Sequence, residues 1–212
     1  MIINPYIYST PLRHKNGNLY NFFAAINENL CPTDCHVPTQ TEWTTLIAAI
    51  GGSTYGGLLK EAGIFHWTPP NTGATNATGF TALPSGWRYN NGTFTEMGLT
   101  AIYWTVDEYN STDGRYSGYL RYNNANIGSA NLDKNSGLSI RLIYTGENTT
   151  VTDYDNNVYD VITIGSQKWL KQNFKCTHLN NGNAIPNITV AATWEILTTL
   201  AMCAYNNDEN NV

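Results

Sequence analysis

Four cysteines and four histidines are the side chains best suited to nucleophilic or metal chemistry, and their spacing supports neither. Cys31 and Cys35 have no second Cys or His pair at the distance a zinc site needs. His14, His36, His66 and His178 are scattered, with no Ser or Asp motif beside them to form a triad. For Cys31, Cys35, Cys176 and Cys203 two readings stay open: one or two disulfides, or unpaired thiols matured in a reducing compartment. Oxygen ligands come closer to a site. Asp153, Asp155 and Asn157 stand at alternate positions, as in the start of a calcium loop. But loop position six is not Gly and position twelve would be Ile164 instead of Glu, so the stretch reads first as an Asx turn before a strand. Asn206, Asn207 and Asp208 read as an open polar turn in the same way. Calcium is the only cofactor these patterns leave open.

Binding chemistry is better represented. The stretch from Asp113 to Asn135 holds Arg115, Tyr116, Tyr119, Arg121, Tyr122, Asn123, Asn124, Asn126 and Asn131. Tyr offers a large contact area at low entropic cost, and Asn both donates and accepts hydrogen bonds. Sugars are recognised by this pairing of aromatic faces with amides, so these nine residues are the candidate ligand-binding set. An Asn-rich chain also carries Asn-rich loops everywhere, and this one has 28 Asn. On a strand, alternate residues face the core, so about half of the nine are expected to be exposed. Trp43, Trp67, Trp87, Trp104, Trp169 and Trp194 are too evenly spread to form one platform and read as core.

Composition narrows the partners. In 212 residues the charged share is 13% and the aromatic share 12%, which indicates a folded chain with one substantial core. The net charge is −5, and the 11 Lys and Arg form no cluster, against a nucleic-acid groove. No apolar run reaches the roughly 20 residues a membrane span requires. Met1 to Thr10 lacks a basic region, an apolar region and a small-residue cleavage site, so assembly in the cytoplasm is expected.

Two helices are expected to position these residues. Thr39 and Glu42 form a capping box, after which Trp43, Leu46, Ile47 and Ile50 share one stripe, and Gly51-Gly52 ends the helix. The second follows Thr189, with Val190, Trp194, Leu197 and Ala201 on one face. Val158 to Ile164 and Lys168 to Leu170 read as a hairpin turned at Gly165-Ser166. Ile102 to Thr105, Gly118 to Tyr122 and Leu138 to Ile143 are further short strands. The polar stretch 145–157 reads as a linker. An α+β fold with short antiparallel strands and long ordered loops follows.

Several ordered segments resemble the Fibrobacter succinogenes major paralogous domain, a bacterial surface module. From the late part of the chain they include Ile164-Gly165-Ser166-Gln167-Lys168-Trp169, Asn173-Phe174-Lys175 and Tyr205-Asn206-Asn207-Asp208. From the early part come Leu19-Tyr20-Asn21, Leu30-Cys31-Pro32-Thr33, His36-Val37-Pro38-Thr39 with Glu42-Trp43, Gly79-Phe80-Thr81-Ala82-Leu83-Pro84 and Ser139-Ile140-Arg141. The order is that of a circular permutation: the last residues look like the opening of the module and 17–144 like the rest. The resemblance implies kinship with formylglycine-generating enzymes and C-type-lectin-like proteins, and hence a lectin-like fold. Those enzymes rely on a reactive cysteine pair late in the core, and this chain has no Cys between Cys35 and Cys176. The family has Trp in place of Cys35 and Cys in place of Leu142, which removes the partner the resemblance would give Cys31.

The expected organisation is an extended arm over 1–16, a lectin-like body over 17–144, a linker over 145–157, and a completing segment over 158–212 that closes its own body or a neighbour's. The expected function is non-enzymatic: adhesion, or recognition of a cell-surface glycan or protein, on a bacteriophage virion or extracellular surface. The alternative is a structural subunit that polymerises or decorates a particle by exchanging its tail with sister subunits or other virion proteins. A degenerate enzyme of the formylglycine-generating type is the third reading.

Overall fold

A computed structural model describes residues 16–212; the arm expected over 1–16 lies almost wholly outside the described residues. The first elements are strand β1 (Leu19–Tyr20), helix α1 (Phe22–Ala25), strand β2 (Cys35–His36) and helix α2 (Gln40–Ala49). Helix α2 forms for the reason its sequence gives. The Thr39 hydroxyl accepts from the Glu42 amide at 3.1 Å, and the Glu42 carboxylate accepts from the Thr39 amide at 2.8 Å. Gly51 (φ 100°) and Gly52 (φ 117°) then leave the helical region and end it. The helix buries Trp43 and Leu46. Trp43 stacks on Tyr103 at 5.6 Å and lies 4.9 Å from Trp169.

Strands β3 (Ser85–Arg88) and β4 (Phe94–Met97) form a hairpin, followed by a sheet of β5 (Thr100–Glu108), β6 (Asp113–Arg121) and β7 (Ile127–Asp133). The remaining strands are β8 (Ile143–Tyr144), β9 (Thr150–Thr152), β10 (Val158–Ile164), β11 (Gln167–Leu170) and β12 (Met202–Cys203). Five of them pair in the order β2-β8-β11-β10-β9, and β12 pairs with β1. Every one of these strand pairings is antiparallel. The β5–β6–β7 sheet separates two hydrophobic clusters, and β5 alternates between them. Ile102, Trp104 and Val106 face the first; Ala101 and Tyr103 face the second. The architecture is α+β, dominated by strands. All six tryptophans are buried, as their spread along the sequence implies.

Late and early residues share one interior. The first cluster joins Tyr20, Phe22, Trp104 and Leu142 to Tyr159, Leu170, Phe174, Cys176 and Met202. Arg141 ties the same regions together by polar contacts. It is fully buried and donates to the Phe80 carbonyl at 2.6 Å, the Leu170 carbonyl at 3.2 Å, the Lys171 carbonyl, and Asn173 Oδ1 at 2.5 Å. Its guanidinium lies 4.2 Å from the Phe80 ring and 5.4 Å from that of Tyr103. Burial lowers its pKa, and the aromatic faces and five acceptors, the Tyr103 hydroxyl at 3.4 Å among them, keep the buried cation solvated. The Asn16 amide donates to the Asn211 carbonyl at 3.0 Å, so the two ends of the described chain meet.

Four expectations need correction. The second helix is only α3 (Ala191–Glu195). Val190 stands 60% exposed beside it, and Ala201 reaches the core on an extended return instead. Thr193, Ile196, Thr198 and Thr199 are β-branched, and Asn21 captures the Thr199 carbonyl and the Ala201 amide, which pulls the chain out of helix. The described residues therefore hold three α-helical segments instead of two. The stretch 145–157 is more than a linker, because β9 lies in it and pairs with β10. Leu138 to Ile143 is not a continuous strand: Leu138 and Ser139 make isolated bridges to Tyr20 and Tyr103, and only Ile143 enters a ladder. The expected β10–β11 hairpin is present, with Gly165 at φ 59° in its turn.

Candidate ligand-binding face

The nine candidate residues fall on and around the β6–β7 hairpin, and an irregularity in β6 decides how they group. Tyr116 lies opposite Trp104 on one side and Ala130 on the other. The register then shifts, and Tyr119 lies opposite Gly128. Residues three apart on a regular strand point to opposite faces; the bulge returns Tyr119 to the face of Tyr116. Gly118 makes it feasible: its φ is 66°, and a Cβ there would sit 2.6 Å from the Trp43 ring. The Tyr116 and Tyr119 rings meet edge to face at 5.9 Å.

Around the two tyrosines lies a polar network. Arg121 Nη1 donates to the Tyr119 hydroxyl at 2.9 Å, and Nη2 is 3.5 Å from Glu96 Oε1. The Thr100 hydroxyl donates to the other Glu96 oxygen at 2.5 Å. Glu96 occupies the left-handed region, φ 60°, opposite Gly86 at the same φ, where a Cβ would come 2.4 Å from the Thr95 carbonyl. A left-handed Glu costs about 1–2 kcal/mol, which its bonds to Thr100 and Arg121 offset. Tyr89, 40% exposed, extends the cluster through a 5.8 Å contact with Trp87. Burial raises the pKa of Tyr116, and Tyr119 and Glu96 add to the rise. Burial also raises that of Tyr119, against the opposing charge of Arg121. Both phenols therefore stay neutral and can donate as well as accept. Trp87 Nε1 and Arg121 Nε are buried without a partner. Such atoms mark places where a water or ligand oxygen completes the bonding.

The other candidates lie elsewhere. Arg115 and Asn131 pair across the strands on the face opposite Tyr116, with the Arg115 guanidinium 5.0 Å from the Tyr109 ring. Tyr122, Asn123, Asn124 and Asn126 form the hairpin tip. Tyr122 packs on the second cluster, while Asn123 and Asn126 are exposed. The tip is anchored by Lys60, which donates to the carbonyls of Thr72, Arg121 and Asn124 at 2.8–3.0 Å. Of the nine, Asn123 and Asn126 are exposed, fewer than the half expected, and the other seven are half-buried. Gly114, Gly118, Leu120 and Ile127 take the inward positions.

Of the calcium candidates, Asp153 and Asp155 accept from protein donors, and Asn157 donates to Asp153. Asp153 accepts from the Asn157 amide at 2.9 Å and the Tyr159 hydroxyl at 2.7 Å. Asp155 accepts from the Thr177 amide at 2.5 Å, the Thr177 hydroxyl at 2.8 Å and His178 Nδ1 at 2.5 Å. Burial works to raise the Asp155 pKa, but those donors and the Cys176 thiol outweigh it and bring it to about 2. Asp153 and Asn157 form the Asx turn that the sequence suggests, and Asp155 turns to different partners. Among the described residues no group of three His, Cys, Asp or Glu converges as a metal site.

All four cysteines are free thiols. Burial pushes Cys31 up, and pushes Cys35 and Cys176 to about 12 and Cys203 to about 11. Leu142, at the place where the resemblance would put a Cys, fills the first cluster instead.

Tyr89 and Glu96 were not among the residues singled out from the sequence, and Trp87 was read there only as core. A signal was present: Asn90-Asn91-Gly92 between Trp87-Arg88-Tyr89 and Phe94 is a hairpin turn that places Glu96 against Arg121. No helix of the described residues is long and apolar enough to cross a membrane.

An α+β chain with an aromatic, amide-rich hairpin face is the class these observations define. The model of the Fibrobacter succinogenes major domain matches residues 5–144, and the chain belongs to that family. No curated protein and no solved structure matches the chain.

Proposed function

We propose that this chain is a non-enzymatic binding module of C-type-lectin-like fold, displayed on a bacteriophage virion or extracellular surface, that recognises a cell-surface glycan or protein. The reading rests on one observation: a β-bulge gathers Tyr116 and Tyr119 with Glu96, Arg121 and Tyr89 into a half-exposed aromatic and charged cluster. Four thiols held protonated by burial support the non-enzymatic part, because a thiol without thiolate character is a poor nucleophile. The test is a glycan array probed with and without calcium, using the wild type and the Tyr116→Ala/Tyr119→Ala variant. Binding that the double variant loses, with its melting temperature retained, supports the reading. Retention of all binding by the variant overturns it.

A second reading concerns assembly. The Asn16–Asn211 hydrogen bond and the β1–β12 pair favour a circularly permuted domain in which residues 158–212 close their own body. Tail exchange between copies is the competing arrangement, and a mass measurement over a concentration series separates them. A constant monomer mass supports self-closure, and growth with concentration supports exchange.

A further inference from the structure

A cleft of about 590 Å³ lies apart from the tyrosine face, between the Pro32–Asp34 turn, the segment 144–152 and Asn180. Its size is that of small-ligand sites. The walls are fixed by backbone bonds. The Asp34 carbonyl accepts from the Thr145 amide at 2.8 Å and the Thr145 hydroxyl at 3.1 Å, and the Asn180 amide donates to the Asn29 carbonyl at 2.6 Å. On the third side, β9 pairs with β10, and Lys168 Nζ donates to the Gly146 carbonyl at 2.7 Å. The floor is Tyr144, whose hydroxyl accepts from the Asn148 amide at 3.1 Å. Gly146 lets the chain wrap over that ring, since a Cβ there would lie 2.3 Å from the Tyr144 hydroxyl.

The backbone is thus committed, while the side chains that face the cleft are not. Thr33, Asp34, Asn148, Thr150, Thr152 and Asn180 line it, and among the described residues their side chains have no protein partner: the Thr and Asn groups and the Asp34 carboxylate make no ion pair or side-chain hydrogen bond. In β9 the period of two turns Thr150 and Thr152 outward while Val151 enters the core. The cleft therefore offers hydroxyls and amides that both donate and accept, held on a rigid frame, which lowers the ordering cost of binding. Its one lining charge is negative. The nearby cation, Lys168, is already paired with Glu147 at 3.1 Å. No ring other than the buried Tyr144 is available for stacking, so flat aromatic ligands gain little there. An anion would meet Asp34 with no cation to answer it.

We propose that this cleft is a second binding site, taking the uncharged, hydroxyl-rich end of a neutral oligosaccharide. It stands independently of the tyrosine face. The test uses amide-resolved NMR of the full chain titrated with maltotriose, mannotriose and chitotriose, with sialyllactose as an anionic arm, each to about 10 mM, since a site built from hydrogen bonds alone falls in the millimolar range. The expected result is saturable shifts at Thr33, Asn148, Thr150 and Asn180 with at least one neutral sugar and none there with sialyllactose. Thr150→Val/Asn180→Ala should weaken that binding about tenfold, the equivalent of one to two lost hydrogen bonds. Tyr116→Ala should leave it unchanged. The proposal is overturned if no neutral sugar shifts these amides, if the double variant binds as the wild type does, or if sialyllactose binds there equally. Shifts confined to Tyr116–Arg121 would overturn this site and leave the tyrosine face standing.

Discussion

Replacing Arg141 by Met should loosen the connection between the late and early parts of the chain. The guanidinium's four shorter hydrogen bonds go to the carbonyls of Phe80, Leu170 and Lys171 and to Asn173 Oδ1, and a fifth reaches the Tyr103 hydroxyl at 3.4 Å. Each buried acceptor left unpaired costs about 1 kcal/mol at the low end of the usual range, giving about 4 kcal/mol for the shorter bonds. Removing a desolvated cation and packing Met against Phe80 and Tyr103 returns part of this, leaving a net loss of about 3 kcal/mol. For a chain of this length that is a fall of about 6–12 °C in Tm. Arg141→Lys should cost less, because an ammonium retains some of the donors but neither the planar fork nor the stacking on Phe80. Urea unfolding followed by tryptophan fluorescence measures both, and the Asn173→Ala cycle isolates the coupling between the partners. A loss below about 1 kcal/mol for Arg141→Met would refute the claim that this side chain organises the junction.

Asp155 has a folded pKa of about 2, below its unfolded value, so its contribution is present above pH 4 and is lost as pH falls through 2. The full shift corresponds to about 2.4 kcal/mol, which solvent screening at a partly exposed carboxylate trims to about 1–2. Asp155→Asn should flatten the stability profile between pH 4 and 2, and an unchanged acid limb would count against the assignment. Thr39→Ala removes the α2 cap and should cost about 1 kcal/mol in urea unfolding; no loss would mean that Glu42 and the packing of Trp43 alone set the helix start. Joining Val212 to Asn16 by a short Gly-Ser linker and opening the chain between Glu147 and Asn148 should yield a folded protein melting within a few degrees of the parent. An unfolded product would refute self-closure.

Legibility followed the range of the interactions. The capping box of α2 and the β10–β11 hairpin depend on residues a few positions apart, and both could be read directly. The family was legible because its short segments, such as Val37-Pro38-Thr39 and Ser139-Ile140-Arg141, keep their order within the matched span. The grouping of Tyr116 with Tyr119 was not legible, because it depends on a bulge made where Gly118 meets Trp43, and those two are far apart in sequence. Nor was Glu96, whose role appears only when β4 and β6 are brought together. The stripe from Val190 to Ala201 has helical spacing, yet Asn21, far upstream, competes for the backbone and wins. Arg115 and Asn131 share the composition of the binding face but not its side of the sheet.

The bond between Asn16 and Asn211 carries an architectural implication. The chain thus enters this body at Asn16 beside the point where Asn211 leaves it, an arrangement that suits a pendant hung from a turn of some larger scaffold. Loop closure across so short a gap costs little entropy. A host protein could then bear many such pendants without changing its own geometry, and the strength of a weak contact would rise with their number.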